Sequence, residues 1–177
     1  MTQGWSSFYS VLGEAAAGLI GLIFIVITLT STRGRPSSLR AAGLYLTPTI
    51  LHFGATLAVS AVLEMPDLTP PRLAVALGLI AVAGLACCLR SAAGILRTPD
   101  GPPHWSDFWL YAGAPAALYA VLLAAAYGAW KSATWALGLT AATLLVLLLL
   151  AVRNAWDTIT WIAAGGVGDQ PRDPDAP

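Results

Sequence analysis

The chain has 177 residues, of which 57% are hydrophobic and 10% are charged, whereas a soluble domain usually carries about a quarter charged residues. Formal net charge is zero, and the nine Lys and Arg residues are clustered between apolar stretches instead of forming a basic face. This composition excludes an ordinary water-exposed surface and argues against nucleic acid as a partner. The expected environment is a lipid bilayer.

Hydropathy divides the chain into five apolar stretches, and each is long enough for the helix of about 20 residues that spans the hydrocarbon. They run approximately from Ser6 to Ser31, Leu39 to Leu63, Pro71 to Leu96, Trp105 to Trp130 and Ala133 to Ile162. We therefore predict an all-α fold in which residues 1–164 form one transmembrane domain of five helices. Residues 165–177 are rich in Gly, Pro and Asp, which predicts a disordered cytoplasmic tail.

The distribution of basic residues predicts the orientation, because Lys and Arg in short loops stay on the cytoplasmic side. With the N-terminus outside, seven basic residues lie at cytoplasmic helix ends and only Arg72 and Lys131 lie outside. The seven are Arg33, Arg35, Arg40, Arg90, Arg97, Arg153 and Arg172. No basic residue precedes the first stretch, so we expect it to be retained and not cleaved as a signal peptide. The preference for Arg over Lys is typical of a GC-rich bacterial genome, which predicts a multi-pass protein of the bacterial inner membrane.

The first helix contains a small-residue seam, Gly13, Ala17 and Gly21, at steps of four residues. Small residues let another helix approach closely in lipid, and the partner is either within the chain or in a second subunit. Glu14 lies beside the seam, about 12 Å along the helix from Ser6. A carboxylate at that depth is costly and is a candidate functional group, although snorkelling to the interface or capping a neighbouring helix are alternatives.

The second helix carries a polar stripe whose members follow one another at steps of 4, 3, 4, 4 and 4 residues, on one helix face. They are Tyr45, Thr49, His52, Thr56, Ser60 and Glu64. His52 is near the bilayer midplane, and Pro48 removes a backbone hydrogen bond one turn before it. The pattern predicts a polar pathway, with two alternatives: Ser and Thr bonding back to their own helix, or a stripe that merely faces the bundle interior.

His52 and Glu14 are predicted at compatible depths, about 18 Å and about 12 Å from the outer ends of their helices. Two titratable groups so placed could relay protons or bind a cation, because imidazole changes charge near neutral pH. Helices joined by a short loop usually pack together, so we predict that these two side chains form a coupled polar site.

A cytoplasmic ionic layer is predicted near the end of the last helix, where Arg153 and Asp157 are spaced for pairing along the helix. Arg90, Arg97 and Asp107 belong to the same layer, and Asn154 and Trp161 add a polar and an aromatic contact. On the fourth helix, Tyr111, Pro115 and Tyr119 recur every four residues and are predicted to face inward, with a kink at the proline.

Catalytic, cofactor and metal motifs are not found in the sequence. His52 and His104 are the only histidines, and there is no His-Glu-x-x-His, Gly-x-Ser-x-Gly or phosphate-binding glycine loop. The adjacent Cys87 and Cys88 point about 100° apart on a helix, which disfavours a bridge between them. We therefore expect no enzyme activity and no cofactor.

Three segments resemble a family of small, uncharacterised bacterial membrane proteins with five helices. They are Gly13 to Phe24 (GEAAAGLIGLIF), Thr47 to Gly54 (TPTILHFG) and Asn154 to Asp157 (NAWD). The resemblance covers nearly the whole chain, agrees with the predicted architecture and implies no activity. From the polar stripe we expect a homo-oligomeric channel or transport protein; the alternative is an accessory or regulatory subunit of a larger membrane complex.

Overall fold

The computed structural model describes residues 4–31, 36–97 and 105–163, with side chains except at 30–45 and 161–163. Its helices are α1 (Ser6–Ser31), α2 (Pro36–Leu63), α3 (Pro70–Leu96), α4 (Trp105–Trp130) and α5 (Trp135–Ala163). No strand occurs in these ranges, and all five helices are long and apolar enough to cross a membrane. The prediction of an all-α fold with five helices of spanning length and hydropathy is therefore confirmed for the described residues. Arg33, Arg35, Arg172, His104 and the tail at 165–177 lie outside the described residues.

The helix ends follow from local sequence. Helix α3 begins after the extended Thr69 with Pro70, where a missing N–H removes no helical hydrogen bond. Helix α4 ends in a tight turn in which Ser132 has a φ of 55°. The amide of Ser132 donates to the Ala129 carbonyl and that of Ala133 to the Gly128 carbonyl, both at 2.9 Å. These two bonds satisfy carbonyls that the end of the helix would otherwise leave open.

Burial separates central helices from peripheral ones. In the most apolar 18-residue stretch of each helix, 56% is buried in α2 and 50% in α5, compared with 22% in α1. Helix α2 packs against α1, α3 and α5, and α4 packs mainly against α3 and α5. The side chains of Tyr9, Phe53 and Leu144 are among those fully enclosed in the shared core. The polar residues of α2 are thus carried by one of the two most enclosed helices.

The predicted seam on α1 divides between two faces. Gly13 is buried against α2, where an added Cβ would lie 3.0 Å from Ser60 Cβ. Ala17 and Gly21 are exposed on the outer side of the helix, and nothing described lies within 4 Å of a Cβ placed at Gly21. Each step of four residues rotates by about 40° around the helix, so Gly21 points about 80° away from Gly13. Of the three seam residues, Gly13 is the one that packs against another helix in the described part of the chain.

Candidate functional site

The polar residues of α2 lie inside the bundle. Thr49, His52 and Thr56 are 0% exposed and Ser60 is 2% exposed; together they are called the polar face of α2. Glu64, one turn further, is exposed at the end of the bundle, where it accepts a hydrogen bond of 2.8 Å from Ser6 Oγ on α1. This end is called the Glu64 end. The side chain of Tyr45 lies outside the described residues.

Tyr119 on α4 is the partner of His52. Its hydroxyl lies 2.9 Å from His52 Nδ1, and the two rings are 5.6 Å apart with a tilt of 47°. Tyr119 is 0% exposed, and its ring lies directly against Gly84 of α3, where any Cβ would overlap the ring. Glycine at this position lets α3 and α4 close around the pair. The inward tyrosine pattern on α4 predicted that Tyr119 faces the core, but sequence reasoning did not pair it with His52.

Two atoms on the polar face of α2 are enclosed without a hydrogen-bond partner in the described part of the chain: His52 Nε2 and Ser60 Oγ. Between them, Thr56 donates its hydroxyl proton to the His52 carbonyl at 3.0 Å, which is the backbone bonding expected of a threonine in a membrane helix. The oxygen lone pairs of Thr56 remain available as acceptors. Leaving a buried polar atom unpaired costs about 1–3 kcal/mol, so this face is polar at a cost in stability.

Glu14 does not join this site. Its side chain is exposed on the outer side of α1, whereas His52 is fully enclosed, and no hydrogen bond links the two among the described residues. The predicted Glu14–His52 pair is therefore wrong within one chain. Gly13 occupies the inward contact with Ser60, and the next residue on a helix points about 100° away.

At the opposite end of the bundle, the Arg153–Asp157 pair is present at 3.9 Å, with both side chains about half exposed. Arg90 is exposed on α3, and no ion pair joins it to either residue in the described ranges. Surface pairs of this kind contribute about 0–1 kcal/mol. In the described ranges, the predicted ionic layer therefore contains one weak ion pair, Arg153–Asp157.

Asn154 contributes more to the contact between α4 and α5 than this ion pair does. This region is called the Asn154 end. Residues Trp109–Gly113 of α4 form a π-helical segment in which the Ala114 amide donates to the Trp109 carbonyl. Pro115 has no amide N–H, so the Leu110 carbonyl has lost both donors that follow it in the helix. The side-chain amide of Asn154, fully buried on α5, donates to that carbonyl at 2.8 Å. Asn154 replaces the hydrogen bond that the proline removes.

Tyr111 strengthens the same contact. Its hydroxyl donates to the Asn154 backbone carbonyl at 3.2 Å and lies 3.2 Å from Thr158 Oγ1. The expected inward face of α4 is therefore present, since Tyr111, Pro115 and Tyr119 are all buried. The π-helical segment lies directly before Pro115, at the position where the kink is predicted.

No three His, Cys, Asp or Glu side chains within the described ranges come close enough to hold a metal ion. Cys87 and Cys88 are free thiols, one half-buried and one buried. No protein-family profile matches the chain, and neither a curated protein nor a solved structure is significantly similar to it. Inference about function therefore depends on the geometry of the bundle.

Proposed function

We propose that this protein is a multi-pass protein of the bacterial inner membrane that provides an ion or proton pathway along the polar face of α2. One observation carries the proposal: a central helix keeps a row of enclosed polar side chains, and His52 Nε2 and Ser60 Oγ in that row lack partners among the described residues. The row continues to the bundle surface at Glu64.

The energetics support a role beyond packing. An apolar residue of similar shape at either position would avoid a cost of about 1–3 kcal/mol for each unpaired atom. Ionisable residues in the interior of a membrane bundle commonly mark ion or proton pathways. His52 is such a residue, and its enclosure by α2 and α4 keeps it away from lipid.

The basic residues support an orientation with the N-terminus and the Glu64 end outside. Arg90, Arg97 and Arg153 belong to the half of the bundle that includes the Asn154 end, whereas Arg72 and Lys131 belong to the Glu64 end. Basic residues are retained on the cytoplasmic side. The pathway would then open at Glu64 to the exterior.

A second candidate, an accessory or self-associating subunit, is favoured by the outer side of α1. Glu14, Ala17, Gly18 and Gly21 are all exposed there, on the span with the lowest buried share among the five described spans. A carboxylate that faces lipid is unfavourable and small residues allow close helix approach. A partner helix at this surface would cover both.

The pathway is tested by reconstituting the full-length protein in liposomes and measuring ion and proton flux with fluorescent indicators. His52→Leu is expected to abolish flux because it removes both ring nitrogens at similar volume. Thr140→Val is the matched control, since Thr140 is equally buried on α5 but lies outside the polar face of α2. Absence of flux in the wild type, or equal flux in His52→Leu, would contradict the pathway. An assembly that carries no ion and dissociates on Gly21→Leu would support the second candidate.

A further inference from the structure

The outer side of α1 carries a carboxyl group that has no partner in the described part of the chain. Glu14 is exposed there, and no hydrogen bond or ion pair joins it to another described residue. It lies about 12 Å along α1 from Ser6, whose hydroxyl meets Glu64 at the Glu64 end. An ionised carboxyl group is costly in hydrocarbon, and a protonated one carries a donor and an acceptor that lipid cannot satisfy. Glu14 therefore needs a polar partner from outside the bundle.

The same side of α1 contains glycines that the single chain does not use. Gly18 and Gly21 are exposed, and nothing described lies within 4 Å of a Cβ placed at either position. Glycine inside a helix is less favourable than alanine because its backbone has more freedom to lose. No packing contact in the described ranges offsets this cost. A second helix at this surface would offset it, because the missing side chains let the two backbones approach closely.

These residues share one face of the helix. A rotation of about 100° per residue places Gly18 about 40°, Gly21 about 20° and Ala17 about 60° from the direction of Glu14. Ala17 and Gly21 are four residues apart, the spacing at which small residues admit another membrane helix. The buried residues Ala16 and Ile23 point about 160–180° away from Glu14. A partner on this face would therefore leave the packing of the bundle unchanged.

The depth of Glu14 indicates which partner fits. Copies of one chain insert in the same orientation, so a two-fold axis along the bilayer normal brings identical residues together at equal depth. Two protonated carboxyl groups complement each other, because each donates to the carbonyl oxygen of the other. Leu79 on α3 and Val121 on α4 lie about 14 Å from the same end of the bundle, and both are exposed and apolar. A copy docked through α3 or α4 would thus leave Glu14 unpaired.

We propose that a second copy of this chain docks on the outer side of α1, with the two α1 helices crossing near Gly18 and the two Glu14 carboxyl groups hydrogen-bonded to each other. This inference rests on the second candidate function and names its partner as an identical subunit. The interface combines a polar pair in the outer half of the bilayer with close backbone contact one turn deeper. Each feature satisfies a need that the single chain leaves open.

The test measures self-association of the full-length protein in liposomes, by energy transfer between copies that carry a donor or an acceptor fluorophore at the C-terminus. Several protein-to-lipid ratios are compared. Glu14→Leu removes the carboxyl group, whereas Glu14→Gln keeps a side chain that both donates and accepts hydrogen bonds. Gly18→Leu fills the crossing point. Ala15→Leu is the matched control, because Ala15 is also exposed on α1 but points about 100° away from Glu14.

We expect a dimer in the wild type and association at least about tenfold weaker in Glu14→Leu, the factor that corresponds to about 1.4 kcal/mol. Gly18→Leu should abolish the dimer but keep the melting temperature of the monomer in detergent, since its side chain meets nothing described. Glu14→Gln and Ala15→Leu should associate like the wild type.

Three results would overturn the inference. A wild type that stays monomeric at every protein-to-lipid ratio would exclude an identical partner, and the second candidate would then require a different protein at this surface. Association that Gly18→Leu does not weaken, or that Ala15→Leu weakens equally, would place the interface away from this face of α1. Equal association of Glu14→Leu and the wild type would refute the carboxyl pair.

Discussion

Asn154→Leu offers the sharpest test of how the bundle compensates for its proline. The substitution keeps a buried side chain of similar size but removes the amide that donates to the Leu110 carbonyl at 2.8 Å. In the native helix the Ala114 amide donates to the Trp109 carbonyl and Pro115 has no amide N–H. The substitution would therefore leave the Leu110 carbonyl without a donor. An unpaired buried carbonyl costs about 1–3 kcal/mol, so we expect a loss of about 2 kcal/mol in the free energy of unfolding.

The same reasoning predicts that the cost depends on Pro115. In a Pro115→Ala background the helix regains an amide and can return to regular α-helical bonding, which gives the Leu110 carbonyl a donor from its own chain. Asn154→Leu should then cost less, by about 1 kcal/mol, near the middle of the range found for hydrogen bonds between membrane helices. The four variants of this cycle are compared by reversible denaturant unfolding in mixed micelles. Equal costs of Asn154→Leu in both backgrounds would refute the idea that Asn154 compensates for the proline.

Three further predictions concern the packing around the site and on α1. Gly84→Ala should destabilise the bundle by about 1–3 kcal/mol because a Cβ overlaps the Tyr119 ring. Gly78→Ala on the same helix meets nothing described and should not lower the melting temperature, because alanine favours a helix over glycine by about 1 kcal/mol. Tyr119→Phe should cost about 1 kcal/mol through the lost hydrogen bond to the histidine, and nitrogen NMR should show altered Nδ1 protonation; an unchanged spectrum would contradict the contact. Gly13→Leu should separate α1 from α2 and lower the melting temperature, whereas Gly21→Leu faces open space and should not; destabilisation of the isolated chain by Gly21→Leu would show that this face packs internally.

The sequence by itself determined the architecture. A bilayer requires about 20 apolar residues for each crossing, and the chain satisfies this requirement five times, with breaks that carry turn residues. The predicted ends agree closely with the structure, as at Ser6 for α1 and Trp130 for α4. The sequence also predicted which residues of α2 share a face, because helical periodicity fixes that relation without reference to any neighbour.

Only the tertiary structure decided which groups meet. Periodicity does not fix how each helix is rotated towards its neighbours, and lipid accepts apolar residues on every side, so hydropathy could not show that Gly13 faces inward and Glu14 outward. The sequence also did not predict the order of helices around the core. That order places His52 beside Tyr119 of α4 instead of a residue of the adjacent α1. The donor for the Leu110 carbonyl likewise comes from Asn154, which is 44 residues away. Each of these contacts depends on helix rotation and neighbour order, which are set by packing between helices and not by the pattern within one helix.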